Sequence, residues 1–251
     1  MKETMKSDNF SFSLFLEKSL SFIKSLFQSF SYLFFPPSCI ICGEVSEYSL
    51  CSGCKSKIDF IENFPHCRKC SLVLPENMEC PDCANFVFNF SKLFSLFSYS
   101  GYGEVILQKI KFEGKLFVLE AFSYDIQNAI SGVDFDIVVP VPSYISKFVK
   151  RGYNPSFSIA YLVSRISSKP VVFALEKIKN TPSQLDIPKE ERISNPRGAF
   201  VCVKDVKGKI VLLVDDVATT CSTLSECSKV LREKGAKDVI AFALARTPLS
   251  R

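Results

Sequence analysis

The stretch IVLLVDDVATTCSTL, residues Ile210 to Leu224, determines the fold that we predict for this chain. Its apolar residues predict a buried strand, and the hydroxyl-rich turn after them leads into a helical pattern from about Ser222. The strand runs into two adjacent carboxylates, Asp215 and Asp216. In a parallel α/β sheet, ligands bind at the carboxyl ends of the strands, so these aspartates mark a candidate binding site.

The region around this stretch, residues 86–251, alternates apolar runs with helical patterns, which predicts an α/β fold with a largely parallel sheet flanked by helices. The predicted strands are FDIVVPVP, PVVFAL, AFVCV, KIVLLVDD and DVIAFALA. The predicted helices are GEVILQKIKFEG, KLFVLEAFSYDIQNAI, PSFSIAYLVSRI after an N-cap at Asn154, and STLSECSKVLREKGA closed by Gly235. Residues 176–198 predict a long polar loop, and such loops are often functional.

Composition divides the chain into three predicted parts: a helical segment over residues 1–36, a cysteine-rich segment over residues 37–85, and the α/β domain over residues 86–251. A chain of 251 residues that is 47% hydrophobic is long enough for one medium domain or two smaller ones. The net charge of +5 is compatible with phosphate or nucleic-acid partners without requiring them.

The first segment predicts a helix with one apolar face, because its large apolar residues recur at alternating spacings of four and three. These residues are Leu16, Leu20, Ile23, Phe27, Phe30 and Phe34. We interpret the helix as packing on its own protein or on a second copy, as in a homodimer; the alternative is a helix lying on a membrane surface. Interrupting charges and the lack of a small-residue cleavage site argue against a secretion signal. In the uncharged stretch from Ser25 to Gly43, Gln28, several serines and the Pro36-Pro37 pair argue against a transmembrane helix.

Eight of the eleven cysteines form four CxxC pairs, which are Cys39/Cys42, Cys51/Cys54, Cys67/Cys70 and Cys80/Cys83. Two CxxC turns complete a tetrahedral zinc site, so four pairs predict one or two zinc ions. All ligands would be protein sulfurs, and the zinc is therefore expected to be structural. Metal-bound thiolates without a secretion signal favour a cytoplasmic location.

The pairing of the four CxxC turns is left open by the sequence. Short intervals within each half favour sequential pairing, in which the first two turns hold one ion and the last two another; a cross-brace is the alternative. Segments this short cannot bury enough surface to fold alone, so chelation is expected to unfold residues 37–85. His66, beside Cys67, is expected to be a bystander rather than a ligand.

Two carboxylates beside a hydroxyl-rich helix start suit a ribose 5-phosphate. Asp215 and Asp216 would accept hydrogen bonds from the vicinal 2′- and 3′-hydroxyls. Backbone amides, threonine hydroxyls and the positive end of the helix dipole would hold the 5′-phosphate. The simpler alternative is a helix N-cap with a spare charge.

The same stretch resembles the phosphoribosyl pyrophosphate (PRPP) binding motif of type I phosphoribosyltransferases, in which a hydrophobic strand, two acids and two variable residues precede a threonine-rich turn. Together with TPSQLDIPKEERISNPRGAF, VVPVPSYISKFVKRGYN, IKFEG and PPSCIICG, it is similar to the ComF family, which includes the GntX proteins. The similarity runs from about Leu20 onward. It implies an N-terminal zinc-binding segment, a phosphoribosyltransferase-like domain and a role in DNA uptake.

The resemblance also implies roles for individual residues. Asp215 and Asp216 match the ribose-binding acids. The matching 5′-phosphate loop comprises Val217, Ala218, Thr219, Thr220, Cys221, Ser222 and Thr223. The turn that would bind pyrophosphate is Val141, Pro142 and Ser143, and the loop that would fold over the substrate contains Thr181, Gln184, Arg192 and Asn195.

Three residues depart from the family pattern. Pro155 follows the matching Arg151, Gly152 and Asn154 at a position where Gln is usual, so a polar contact is lost. Lys179 stands where Arg is common, which turns a bidentate donor into a point charge. Cys221 replaces the usual glycine, and it would weaken phosphate binding if that position needs a positive φ. A thiol at a helix start can also have a lowered pKa, although an inert thiol is favoured.

The chemistry that the resemblance implies is substitution at C1 of PRPP by an unidentified nucleophile, with Mg²⁺ on the leaving pyrophosphate. Lys177, Lys179 and Arg192 are candidates to clamp that group. A second hypothesis is an adaptor that senses a nucleotide and binds single-stranded DNA or a DNA-uptake partner through Lys147–Arg151 and its neighbouring rings. A redox role for the CxxC pairs lacks the thioredoxin-like context.

Overall fold

The computed structural model describes residues 36–145, 149, 151–179 and 196–249. The chain forms two compact units, Met1–Cys51 and Ser52–Arg251. The predicted boundaries after residues 36 and 85 stay predictions, and the predicted N-terminal helix lies outside the described residues. Over the described ranges, no helix has the length and apolar character needed to cross a bilayer.

The second unit contains six strands and six α-helices among its described residues. The strands are β1 (Leu93–Ser98), β2 (Ile137–Pro140), β3 (Leu175–Lys177), β4 (Phe200–Cys202), β5 (Ile210–Ala218) and β6 (Asp238–Arg246). The α-helices are α1 (Ser52–Lys55), α2 (Pro81–Asn85), α3 (Gly101–Phe112), α4 (Ser123–Ala129), α5 (Pro155–Ser167) and α6 (Ser222–Glu233). Two 3₁₀ segments span Ile61–Asn63 and Leu116–Phe122.

The main sheet is parallel throughout and has the strand order β1-β6-β5-β2. β5 lies between β6 and β2, and its Leu213 pairs with Ala241 on one side and Val139 on the other. All of β2 is buried, as are residues 211–214 of β5. Continuous burial of this kind is typical of parallel strands covered on both faces, and the predicted α/β fold class is confirmed.

The structure differs from the sequence prediction at several element boundaries. β5 continues through the two aspartates to Ala218, because its pairing with β6 extends that far. β1 was not among the predicted strands. The segment PVVFAL contributes a bridge between Val171 and Val138 and the first residue of β3. The segment predicted as one helix from Lys115 is divided into a 3₁₀ segment and α4.

The predicted helix caps are confirmed in the structure. The Asn154 side chain accepts a hydrogen bond from the Ser156 amide at 3.0 Å, with Pro155 in the first turn of α5. α6 is closed by Gly235, which adopts a φ of +89° and donates from its amide to the Arg232 carbonyl. These two caps fix the ends of the helices that flank the sheet.

The segment that carries the last four paired cysteines packs into the core of the second unit. Cys70 and Leu72 are fully buried in the same hydrophobic cluster as Leu213 of β5 and Leu224 of α6. The Ser71 hydroxyl adds a 2.6 Å hydrogen bond to the carbonyl of Leu93 in β1. The second half of the cysteine-rich segment is therefore part of the same core as the sheet.

Candidate functional site

A cavity of about 550 Å³ opens at the carboxyl end of β2 and β5. Seven of the residues proposed from the sequence to bind PRPP or to clamp pyrophosphate line it: Val141, Pro142, Ser143, Lys177, Asp215, Asp216 and Thr223. The two aspartates come from β5, and the Val141–Ser143 turn follows β2 directly. Adjacent parallel strands end at the same edge of the sheet, which is why segments about 70 positions apart in sequence meet here.

Asp215 accepts a 2.8 Å hydrogen bond from the hydroxyl of Ser156, in the first turn of α5. The Asp216 amide donates to the same Asp215 oxygen at 2.9 Å. Burial raises the pKa of Asp215, and the neighbouring charge of Asp216 raises it further, to about 7, although both hydrogen bonds oppose the shift. The carboxyl thus titrates near neutral pH.

Asp216 forms an ion pair with Lys111 of α3, with 3.1 Å between the ammonium nitrogen and the carboxylate. Both side chains are largely withdrawn from solvent, at 10% exposure for Lys111 and 14% for Asp216. Lys111 therefore places one positive charge against two adjacent carboxylates and offsets part of their mutual repulsion.

Tyr153 and Asn154 form hydrogen bonds with two parts of the cavity wall, the end of α3 and the turn after β2. The Tyr153 hydroxyl donates to the Ile110 carbonyl at 2.7 Å and accepts from the Gly114 amide at 3.0 Å, which holds the end of α3 next to Lys111. The Asn154 side-chain amide donates to the Val141 carbonyl at 3.1 Å. One short segment therefore supports both the α3 wall and the turn after β2.

The loop predicted to hold a phosphate connects β5 to α6. Cys221 is the N-cap of α6 and adopts φ 60°, ψ 4°, the left-handed conformation that favours glycine. The backbone therefore has the conformation that a glycine would adopt easily, and the Cβ of Cys221 makes this conformation less favourable. The hydroxyls of Thr220 and Ser222 hydrogen-bond to each other at 2.8 Å.

The Cys221 thiol is buried in the core, at 2% exposure. Burial raises its pKa to about 11, and the opposing effect of the Arg246 charge is smaller. The shift is opposite to the lowered pKa that was the alternative interpretation of this thiol, because desolvation of the thiolate is the largest contribution. An inert thiol, the favoured interpretation, agrees with this burial.

The remaining predicted residues lie apart from the cavity or outside the described ranges. Thr220 and Ser222 line a second cavity of about 610 Å³, together with residues of α6 and of the Asn85–Asn89 segment. The Lys179 ammonium lies against Gly198, which also lines that second cavity. Arg192 lies outside the described residues. The binding roles of all these residues stay predictions.

The eight paired cysteines gather into two groups, Cys39/Cys42/Cys51/Cys54 and Cys67/Cys70/Cys80/Cys83, and within each group the sulfurs lie within 4.8 Å of one another. The sulfur–sulfur distances are 3.9 Å for Cys42–Cys51, 3.6 Å for Cys67–Cys83 and 3.5 Å for Cys70–Cys80, and they match the roughly 3.8 Å expected for thiolates around tetrahedral zinc. Both groups thus fit structural zinc, and the grouping is the sequential one. His66 is in neither group; its Nδ1 hydrogen-bonds to the Phe64 carbonyl.

Sequence reasoning missed two polar residues of the cavity, Lys111 and Ser156. Lys111 sits in an otherwise helical pattern of apolar and charged residues, where a lysine is usually a solvated surface residue. Ser156 follows the N-cap Asn154, where a serine is expected simply as a residue of the first helical turn. The IKFEG and RGYN segments were noted as family-like, and they are the signals from which both residues could have been found.

Comparison with known families agrees with this architecture. The model of the double zinc ribbon domain matches residues 30–84, and that of the phosphoribosyl transferase domain matches residues 153–251. The two matches together take in both cysteine groups, the two aspartates and the loop before α6.

Curated relatives align with most of the chain. Competence protein F of Haemophilus influenzae is 28% identical, over 85% of this chain and 98% of its own length. Competence protein ComFC of Bacillus subtilis is 27% identical, over 79% of this chain and 84% of its own length. DNA utilization protein YhgH of Escherichia coli K12 is 24% identical, over 84% of this chain and 98% of its own length. A solved purine phosphoribosyltransferase from Pyrococcus horikoshii aligns with 51% of this chain and 82% of its own, at 17% identity and a TM-score of 0.33.

Proposed function

We propose that this chain, a homologue of the ComF and ComFC competence proteins over most of its length, binds PRPP with Mg²⁺ and transfers the phosphoribosyl group to a nitrogen nucleophile. The observation that carries the proposal is the meeting of Asp215, Asp216 and Thr223 in one cavity with the turn after β2. Carboxylates suit the ribose hydroxyls, and the loop that leads to the start of α6 suits the 5′-phosphate.

Cations around the cavity support an anionic substrate. Lys111, Arg151 and Lys177 line it together with the two carboxylates. PRPP carries its ribose between two phosphate-bearing ends, so a site for it needs acids at the centre and positive charge at the margins. Lys177 was the one of these cations proposed from the sequence to clamp pyrophosphate.

The transfer requires little covalent chemistry from the protein. The C1–oxygen bond to pyrophosphate breaks with its electron pair leaving on the pyrophosphate, and a nitrogen lone pair forms the new C1–nitrogen bond. Asp215 and Asp216 would orient the ribose, and the cations would stabilise the departing charge together with Mg²⁺ held mainly by ligand oxygens. The acceptor's proton leaves to solvent or to a phosphate oxygen, so no dedicated general base is required.

Calorimetric titration with PRPP and Mg²⁺ tests binding. We expect heat from the native chain and none from the Asp215→Ala/Asp216→Ala double variant. Asp134→Asn, which changes an exposed carboxylate, is the matched control and should bind as the native chain does. Absence of heat for the native chain would refute the proposal. A pyrophosphate-release screen across candidate bases then tests transfer and identifies the acceptor.

A second candidate function is binding of single-stranded DNA by a non-catalytic adaptor. The observation that favours it is the exposed ring of Phe112, which is 68% accessible and has the Arg151 guanidinium 5.1 Å from its centroid. A ring and a cation at the mouth of a cavity are what stacking of a splayed base requires. The relative named as a DNA utilization protein adds support.

Fluorescence anisotropy with a labelled single-stranded oligonucleotide distinguishes the two functions. The adaptor predicts affinity that falls as salt rises and that Phe112→Ala weakens. Phe117→Ala, which removes another exposed ring, is the control. Binding that PRPP does not alter, in a chain that releases no pyrophosphate with any acceptor, would favour the adaptor over the transferase.

A further inference from the structure

Arg246, the last residue of β6, is a buried cation that joins two distant parts of the chain. It is 2% exposed. Its guanidinium donates to the carbonyls of Ala218, at the end of β5, and Thr219, in the loop before α6, and to the carboxylate of Asp82. Its Nε donates to the carbonyl of Cys70 at 3.1 Å. One planar side chain thus contacts the second cysteine group and the candidate phosphate loop at once.

The contacts of Arg246 help to fix the direction of two peptide groups; the Ala218 carbonyl also accepts a 3.0 Å hydrogen bond from the Thr247 amide. In a trans peptide the carbonyl and the following amide N–H point in opposite directions, and the described residues contain no cis bond. Because the Ala218 and Thr219 carbonyls point at the guanidinium, the amides of Thr219 and Thr220 point away from it. A phosphate loop needs its amides turned outward from the core in this way.

The contacts on the other side fix Arg246 to the metal-binding segment. Asp82 lies between the ligands Cys80 and Cys83 in the short helix α2, and its side chain is 19% exposed. A buried guanidinium is costly unless it is paired, and Asp82 provides the carboxylate. Four thiolates around one Zn²⁺ carry a net negative charge that also favours a cation nearby. The position of Arg246 therefore depends on the fold of this segment.

We propose that Arg246 is a positioning residue through which the second cysteine group, when it holds its metal, orders the loop that receives the 5′-phosphate. This inference rests on the proposed function, since it assigns PRPP affinity to a contact outside the cavity. In this arrangement the metal site positions Asp82 and the Cys70 carbonyl. These two groups position the Arg246 guanidinium, which in turn positions the backbone of the loop.

Asp82→Ala tests the proposal, with Glu79→Ala as the matched control, since Glu79 is an exposed carboxylate next to the same ligand Cys80. We expect amide exchange in Thr219–Thr223 to be about tenfold faster in Asp82→Ala, and PRPP affinity about tenfold weaker, because a charged hydrogen-bond partner is lost. Amides of Leu213 and Phe242 in the core should exchange as before, and the zinc content should be unchanged. Glu79→Ala should match the native chain.

Equal loop exchange in Asp82→Ala and Glu79→Ala would overturn the proposal. Should Asp82→Ala retain less zinc, Asp82→Asn, which keeps the side-chain shape, is measured in the same way and judged by the same criterion. Removing zinc from the native chain should deprotect Thr219–Thr223 before the core amides; simultaneous loss would contradict the proposal. Loop exchange is measured without ligand, so failure of PRPP binding in the native chain refutes the proposed function and leaves this test intact.

Discussion

Lys111 and Asp216 form an ion pair of 3.1 Å at the wall of the candidate cavity, with both side chains mostly withdrawn from solvent. The pair joins α3 to β5. The pair therefore affects two separate properties: the stability of the fold, and the net charge of the cavity wall.

Lys111→Met should destabilise the chain by about 2–3 kcal/mol, since it leaves a largely buried carboxylate unpaired next to Asp215. Chemical denaturation measures this loss. Lys109→Met is the control on the same helix: its partner Glu113 is exposed, and a surface pair of this kind contributes about 0.5 kcal/mol or less. A double variant, Lys111→Met with Asp216→Asn, should recover part of the loss. Equal effects of Lys111→Met and Lys109→Met would contradict the assignment.

The acidic pair and its loop could be predicted from the sequence because an apolar run, two acids and a hydroxyl-rich turn follow one another within Ile210–Leu224. The partners of the acids could not, because Lys111 and Ser156 reach them through tertiary packing from two other helices. β1 was missed for a similar reason: Ser95 and Ser98 interrupt its apolar pattern, and its burial comes from neighbouring elements.

The two cysteine groups were predictable as metal sites from spacing alone, whereas their place in the molecule was not. Nothing in the CxxC spacing indicates that Cys70 and Leu72 share a core with Leu213 and Leu224. Likewise, Arg246 follows an apolar strand pattern and resembles an ordinary strand end. Its burial and its hydrogen bonds to the distant Cys70, Asp82, Ala218 and Thr219 are visible only in three dimensions.

The raised pKa of Asp215 predicts a pH-dependent stability. Because the pKa of Asp215 is about 7 in the folded chain and 3.8 is the ordinary pKa of an aspartate, the stability linked to the protonated carboxyl is complete below about pH 3.8 and is lost as the pH rises through 7. The native chain should therefore lose melting temperature relative to Asp215→Asn between pH 4 and pH 8, by roughly 2–4 °C for each kcal/mol. Thermal melts across this range measure the difference.

Asp134→Asn is the control for this titration, because Asp134 is an exposed carboxylate. Its melting temperature should follow that of the native chain at every pH. A constant difference between the native chain and Asp215→Asn over the whole range would show that the carboxyl does not titrate near neutral pH.

Cys221 holds a left-handed conformation that is unfavourable for a residue with a Cβ. Cys221→Gly should change the free energy of unfolding by about 1 kcal/mol or less, because relief of backbone strain offsets the lost burial of the thiol. Its PRPP affinity should remain within about twofold, since the loop already has the glycine-like shape. Cys221→Val should cost about 2 kcal/mol or more, because a β-branched side chain strains this conformation further. A Val variant as stable as the native chain would contradict this account of the loop.

Metal analysis should give two zinc ions per chain, one for each cysteine group. Cys42→Ser and Cys80→Ser should each reduce this to about one, whereas Cys202→Ser, which changes a buried cysteine outside both groups, should leave it at two. Cys80→Ser should also lower the melting temperature of the second unit, because its group anchors Cys70 and Leu72 in the core beneath the sheet. If Cys80→Ser lost its metal and melted at the native temperature, the core would not depend on that site.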